Sequence, residues 1–428
     1  MSPESNPAVS PLPRFSRDPM PASVCVMWPR LGPYHLARLR AAHARFADEG
    51  AEVVALETAG DDATYEWDPE TGDEPFRRVQ MFPGATYDAL APADLHARTH
   101  ATLDALDPEA VAINAYSTPD ALAALAWCRS RRRTAVLFME STARDAPRTG
   151  LREWVKRHLV SQYDAALAGG TAQRDYLLQL GFPEDHIFLG YDVVDNDFFR
   201  EGAANAPRES DLPGLTGGPF FLTSNRFVAR KNLARLLRAY AAYRARTDDP
   251  WRLVLLGDGS LRADLEAQAQ PIAGVTFAGF RQIAELPTYY GHAGAFVHVP
   301  LVEQWGLVIN EAMAAGLPVV ASTHAGATVD LVREGENGLR VDPTDERAIT
   351  EALLAVSRAS ESERRAMGKR SHEIIARHSP EEFAEGLWQA VRAGTPRSGR
   401  PASAIARAIL TALRLGARRT QSFHAITE

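Results

Sequence analysis

Glu303 and Glu311 stand eight residues apart in Glu-Gln-Trp-Gly-Leu-Val-Ile-Asn-Glu-Ala-Met-Ala-Ala-Gly-Leu-Pro, one before and one inside an otherwise apolar segment. Gly306, Gly316 and Pro318 punctuate it, which predicts a loop, a helix over 307–315 and a buried strand over 318–321. The remaining residues of that helix are nearly all apolar, so an ionised Glu311 needs a partner, because carboxylates are almost never buried unpaired. No Lys or Arg lies within the helix. The partner therefore comes from another element or from a ligand, and a sugar or ribose diol suits a carboxylate acceptor. The other reading makes Asn310 and Glu311 a narrow solvated stripe.

A second cluster, Thr223-Ser-Asn-Arg-Phe-Val-Ala-Arg-Lys-Asn232, follows a strand over 219–222. It opens a helix whose apolar positions Leu233, Leu236, Leu237 and Tyr240 recur at helical spacing. Arg230 and Lys231 thus stand where cations are unfavourable by up to about 1 kcal/mol. An anionic ligand would offset that cost. A solvated basic loop is the alternative.

Together these stretches resemble the Glu-x7-Glu signature and basic loop of retaining GT-B glycosyltransferases, the glycosyl transferases group 1 family. The resemblance implies that Glu303 faces donor-sugar hydroxyls and acts in catalysis. It also implies that the backbone of Gln304, Trp305, Gly306 and Leu307 lies near sugar and pyrophosphate, and that Glu311 holds the ribose. Arg226 and Lys231, five apart, match the pair that neutralises the donor diphosphate, with Arg230 an extra cation. A helix N-terminus presenting unpaired amides to a phosphate agrees with this. The family's usual Glu-Gly/Ser-Phe-Gly is here Glu-Gln-Trp-Gly, so Trp305 keeps an aromatic while Gln304 alters which sugar fits. Gly257 in Leu253-Val-Leu-Leu-Gly-Asp-Gly259 and Phe280 in Ala278-Gly-Phe280 occupy further donor-binding positions of the family. Asp330 stands where a Glu is usual. The resemblance is strong over 220–341 and weaker upstream, where 190–199 looks like the exit from the family's first domain.

At 428 residues the chain has room for two domains with substantial cores. A net charge of −7 argues against general nucleic-acid binding. Cys25 and Cys128 are the only cysteines, so no disulfide framework is implied and a reducing cytoplasm is expected. No apolar run approaches the ~18 residues that span a bilayer. Residues 1–21 read as a disordered leader without a signal-peptide core.

Short apolar runs alternating with helical patterns predict an α/β fold of parallel doubly wound sheets. Strands are expected at 23–28, 52–56, 79–82, 110–114, 135–139 and 165–168 of a first Rossmann-like domain, 22–200. An acidic loop covers 61–74 and a linker covers 201–218. A second alternation, with strands beginning near 220, 252, 275, 295, 318 and 338, makes a domain of 219–379. Two such domains across a cleft are the GT-B arrangement, the second holding the nucleotide sugar. A helix over 380–393 would return to the first domain, as the family's last helix does. The tail from Gly394 carries Arg397, Arg400, Arg407, Arg414, Arg418 and Arg419 against Glu428, with Ile405, Ile409 and Leu413 on one face. It is either a basic amphipathic helix at a membrane surface or an ordinary docking helix.

The first domain is expected to bind the acceptor. Gly32-Pro-Tyr-His35 opens its first helix at the place of the family's Gly-rich loop over the diphosphate, which makes Gly32 a donor-binding candidate. His35 is either an acceptor contact or a structural histidine. Asn114 and Glu140 end the fourth and fifth strands, and the polar exit Glu140-Ser-Thr-Ala-Arg-Asp145 marks the better acceptor candidate.

The implied reaction is retaining transfer from a nucleotide-diphosphate sugar to a glycan, lipid-linked or small-molecule acceptor, with no cofactor and no metal. The departing phosphate oxygen takes the acceptor proton while Arg226 and Lys231 stabilise the leaving charge. Asp195-Asn-Asp197 mimics the Asp-x-Asp of metal-dependent transferases but lies at a domain exit, and reads as a turn. A GT-B epimerase and a non-enzymatic sugar-binding protein are the alternatives.

Overall fold

A computed structural model describes residues 20–61, 72–146, 148–207, 210–394 and Ala408. The expected leader, most of the acidic loop and nearly all of the basic tail lie outside the described residues.

The chain forms two wholly parallel sheets. The first contains β1 (Ser23–Trp28), β2 (Glu52–Asp61), β3 (Arg77–Thr86), β4 (Ala110–Asn114), β5 (Thr134–Met139), β6 (Ala165–Ala168) and β7 (Ile187–Leu189) in the order β3-β2-β1-β4-β5-β6-β7. The second contains β8 (Phe220–Ser224), β9 (Arg252–Leu256), β10 (Val275–Gly279), β11 (Ala295–His298), β12 (Val319–Ser322) and β13 (Gly338–Val341) in the order β10-β9-β8-β11-β12-β13. Both faces of each sheet are covered, and this is why the strands are apolar throughout rather than alternating. Along β1, Val24, Val26 and Trp28 enter one core while Cys25 and Met27 enter the other. The two cysteines are buried and unbridged.

In each sheet the order reverses once, between β1 and β4 and between β8 and β11. Loops leaving such neighbouring strands diverge to opposite faces and leave a crevice at their carboxyl ends, where ligands of open α/β sheets bind. The loop after β8 carries Arg226 and Lys231, and the loop after β11 carries Glu303. Sequence spacing cannot show this adjacency; topology supplies it.

Several boundaries differ from expectation, with β2 and β3 running beyond the expected 52–56 and 79–82. Residues 201–204 are not linker but the end of a helix, Asn196–Ala204, whose Phe199 is buried in the second core. Its N-cap is Asp195, whose carboxylate accepts from the Phe198 amide at 3.0 Å. The Asp-x-Asp look-alike is therefore a helix cap rather than a free turn. Lys231 also precedes its helix, which begins at Leu233 after a short 3-10 turn, Ala229–Lys231, and a left-handed Asn232.

The chain crosses between its halves twice. Val193 lies in the first core and Val194 already in the second. The return crossing follows Ile375 of the second core, and the helix Pro380–Gly394 inserts Phe383, Leu387, Trp388 and Val391 into the first. Asn196 Nδ2 ties the crossings together by donating to the carbonyls of Ile375 and His378, both at 3.0 Å.

Candidate active site

The loop after β8 is shaped by the turn after β9. Gly257 has φ +115°, and a Cβ there would lie 1.8 Å from the Asn225 carbonyl oxygen. Only glycine lets the two backbones pass so closely. Asn225 N–H donates to the Leu256 carbonyl and Phe227 N–H to the Asp258 carbonyl, at 3.0 and 2.7 Å. Arg226, held between them, is half-buried, and its guanidinium has no hydrogen bond or ion pair among the described residues. Arg230 likewise has no carboxylate partner there, and its Nε is buried and unpaired. Two cations thus stand free at the end of β8.

Lys231 is committed. Its ammonium makes an ion pair with Glu303, and His298 Nε2 lies 3.4 Å from the same carboxylate oxygen. Burial alone would raise the Glu303 carboxyl, but Lys231 and then His298 outweigh it and hold the pKa well below the ordinary range. Burial keeps His298 itself low. Gly306, with φ +103°, turns the chain into the helix Leu307–Ala314, passing so close to Glu303 and His298 that a Cβ would crowd both. The amides of Gln304, Trp305, Gly306 and Leu307 have no backbone acceptor among the described residues, so they can serve an anion.

Asn310 and Glu311 are buried, so the solvated-stripe reading does not hold. The partners of Glu311 are hydroxyls: Tyr290 donates to Oε2 at 2.7 Å and Tyr34 to Oε1 at 2.8 Å. Burial raises the Glu311 pKa, against the two hydroxyl donors. Burial and then the Glu311 charge keep Tyr290 protonated, and so a donor. Trp305 is buried with its indole against Gly170, where a Cβ would lie 2.4 Å from the ring, and its Nε1 donates to Asn310 Oδ1 at 2.9 Å. Its ring is thus committed to the interior. Phe280 is half-buried just after β10.

On the opposite wall, Gly32 N–H donates to His35 Nδ1 at 3.0 Å, and the imidazole packs on Trp28 with centroids 4.8 Å apart. Burial, then the Arg38 charge, lowers the His35 pKa to about 3. The ring is therefore neutral, with Nδ1 occupied in holding the turn. Asn114 Oδ1 accepts from Tyr191 at 3.2 Å. Glu140 is raised chiefly by burial, with Arg38 and Tyr191 opposing and the charges of Asp145 and Glu303 adding to the rise. Burial and then the Glu140 charge raise Asp192 still further, and its Oδ2 is buried without a partner. Arg38 offsets both by its charge, while its Nε and Nη2 donate to the Val193 carbonyl.

Direct hydrogen bonds join the walls. Gln304 Nε2 donates to Asp145 Oδ2 at 3.0 Å, Gln173 Nε2 donates to the carbonyls of Glu140 and Gln304 at 3.3 and 2.7 Å, and Asn310 Nδ2 donates to the Asp192 carbonyl at 3.1 Å. Asp330, where the family has Glu, accepts from the Thr171 amide at 2.9 Å and from its hydroxyl. Asp192 and Gln173 escaped the sequence reading. Gln173 sits in an unremarkable helix, Thr171–Gln179, and only the fold brings it to the seam. Among the described residues no group of three His, Cys, Asp or Glu side chains could hold a metal ion, and no helix is long and apolar enough to cross a membrane.

A family model described as glycosyl transferases group 1 matches residues 210–373. The chain is 32% identical over 201 residues to a GDP-mannose-dependent alpha-mannosyltransferase of Mycobacterium tuberculosis, covering 45% of this chain and 48% of that protein. It is 35% identical over 159 residues to a probable sucrose-phosphate synthase of Oryza sativa, covering 32% of this chain and 15% of that protein. The chain thus spans half or less of the length of these relatives. A solved structure, trehalose-6-phosphate from E. coli bound with UDP-2-fluoro glucose, superposes with a TM-score of 0.67 at 14% identity, covering 86% of this chain and 99% of that one. Residues 210–373, which carry the Glu303 and Lys231 loops, thus match the glycosyl transferases group 1 family, and the two-sheet frame is the GT-B fold.

Proposed function

We propose that the protein is a retaining glycosyltransferase that moves a sugar from a nucleotide-diphosphate sugar to a glycan, lipid-linked or small-molecule acceptor without a metal. The observation that carries this is the end of β8: Arg226 and Arg230 stand without carboxylate partners beside Lys231 and the free amides of 304–307. Cations and amides held together suit a diphosphate, and stabilise charge as it develops on a leaving group. Glu303 positions Lys231 and faces the sugar, Glu311 holds the ribose, and Gly257 and Phe280 border the nucleotide. The first half, residues 22–200, takes the acceptor at Glu140 and Asn114, with Gly32 and His35 shaping the wall above the diphosphate. The acceptor attacks from the face that the diphosphate leaves, and a phosphate oxygen takes its proton.

The relatives' names point to two bases to try, as one uses GDP-mannose and one structure holds a UDP-glucose analogue. Turnover of UDP- and GDP-sugars with and without mixed acceptors is the test. Acceptor-dependent release of nucleoside diphosphate, undiminished by excess EDTA and with the donor's anomeric configuration kept in the product, is expected. Conversion of the donor without acceptor would make the protein an epimerase, binding without turnover a sugar-binding protein, and rescue of an EDTA-treated enzyme by Mn²⁺ would end the metal-free reading.

A further inference from the structure

Both oxygens of Glu311 are engaged inside the chain, and one of the two donors belongs to the opposite wall. Tyr290 is fully buried and shares a core with Phe199, Trp305 and Ile309, so its bond to Oε2 is part of the second half's own packing. Tyr34 reaches Oε1 from 277 residues away in sequence. It leaves the first half to do so, since its half-buried ring packs against that same second core.

Its position is firmly built. Pro33 starts the helix Pro33–Ala47, the Gly32 to His35 hydrogen bond closes the turn, and buried Arg38 ties the helix to the Val193 carbonyl. The hydroxyl is carried by a fixed helix end rather than a loose loop. In chemistry and in distance, a tyrosine hydroxyl 2.8 Å from a carboxylate is what a ribose hydroxyl on Glu311 would be.

We propose that Tyr34 is an internal competitor for the ribose, holding Oε1 and yielding it when a nucleotide docks, so that it sets the affinity for the donor. This rests on the reading of Glu311 as the ribose residue. Tyr34 rather than Tyr290 yields, because Tyr34 is partly exposed at the cleft and its removal leaves the second core closed. A ligand that must displace an occupant binds more weakly by the fraction of time the site is free, and deleting the occupant restores that fraction. Loss of the tyrosine hydroxyl should therefore tighten nucleotide binding, the reverse of what deleting an ordinary ligand contact does.

The test is calorimetry of wild type and Tyr34→Phe with UDP and GDP, each beside its 2′,3′-dideoxy counterpart. The substitution removes one oxygen and keeps the ring packing. The wild type should favour the parent over the dideoxy compound less than Tyr34→Phe does. Tyr34→Phe should bind the parent about 5- to 10-fold more tightly and leave the dideoxy affinity unchanged. Unchanged or weaker binding of the parent by Tyr34→Phe, while the wild type still prefers the parent, overturns the competition alone. Equal binding of parent and dideoxy compound by Tyr34→Phe, in which nothing competes for Oε1, overturns the ribose role of Glu311, and the competition with it. Failure of both nucleotides to bind overturns both.

Discussion

Lys231 and Arg226 were paired by their spacing, yet they are in different electrostatic situations, and this separates what their loss will do. Removing Lys231 leaves Glu303 with a side chain 11% exposed and no ammonium partner, a defect worth about 3 kcal/mol when a buried pair is broken. Removing Arg226 breaks no hydrogen bond or ion pair among the described residues, so stability should change by no more than about 0.5 kcal/mol. Both substitutions to Ala should cost turnover on the order of 10²-fold. Urea unfolding and steady-state rates on the same two variants check the contrast, and equal stability losses would contradict it. The type and spacing of Glu303, Glu311, Arg226 and Lys231 were legible because each is a charged residue where packing alone would not put one. The sequence offered no such signal for Tyr34, an aromatic in a helix start like many others, or for Gln173. Their roles exist only through partners 277 and 131 residues distant.

At the scale of elements, the glycines of the turn after β9 are structural supports for the loop that carries Arg226. Gly257→Ala would force a Cβ into the Asn225 carbonyl at a left-handed φ. Relief requires the loop carrying Arg226 to move, at about 2–4 kcal/mol of strain and displaced packing. The expected outcome is a chain that folds with lowered stability and binds nucleoside diphosphate poorly, read by urea unfolding and calorimetry together. Most strands were readable as apolar runs closed by Gly, Pro or Asn. β7 was not, because three residues carry too little pattern, and the helix Asn196–Ala204 was read as a turn followed by linker because Asp-Asn-Asp and Gly-Ala-Ala have turn and linker composition. In both places local signal was too weak to register a contact made with the rest of the fold.

For the whole molecule, the helix Pro380–Gly394 belongs to the second half by sequence and to the first by packing. Ending the chain at Ser379 removes Phe383, Leu387, Trp388 and Val391 from the first core, each worth roughly 1.5–3 kcal/mol of burial, and should leave that half unfolded or aggregated. Ending it at Gly394 should spare the fold and turnover on a soluble acceptor. If the basic residues beyond hold the protein at a lipid surface, that shorter chain will also lose salt-sensitive binding to anionic vesicles. Vesicle sedimentation of full-length and shortened protein decides, and identical binding by both refutes a membrane role for the tail.

The side-by-side crossings clasped by Asn196 have a mechanical consequence. Halves joined by one peptide could bend and twist independently, whereas two adjacent joints act as the pins of a door and leave rotation about the line between them as the soft motion. Widening the gap at Tyr34 and Glu311 then shifts Asp145 against Gln304 by the same swing. A molecule seated on one wall and a molecule seated on the other would feel each other through this leverage alone, with no relay of side chains between them, and each would alter the other's affinity by the same factor.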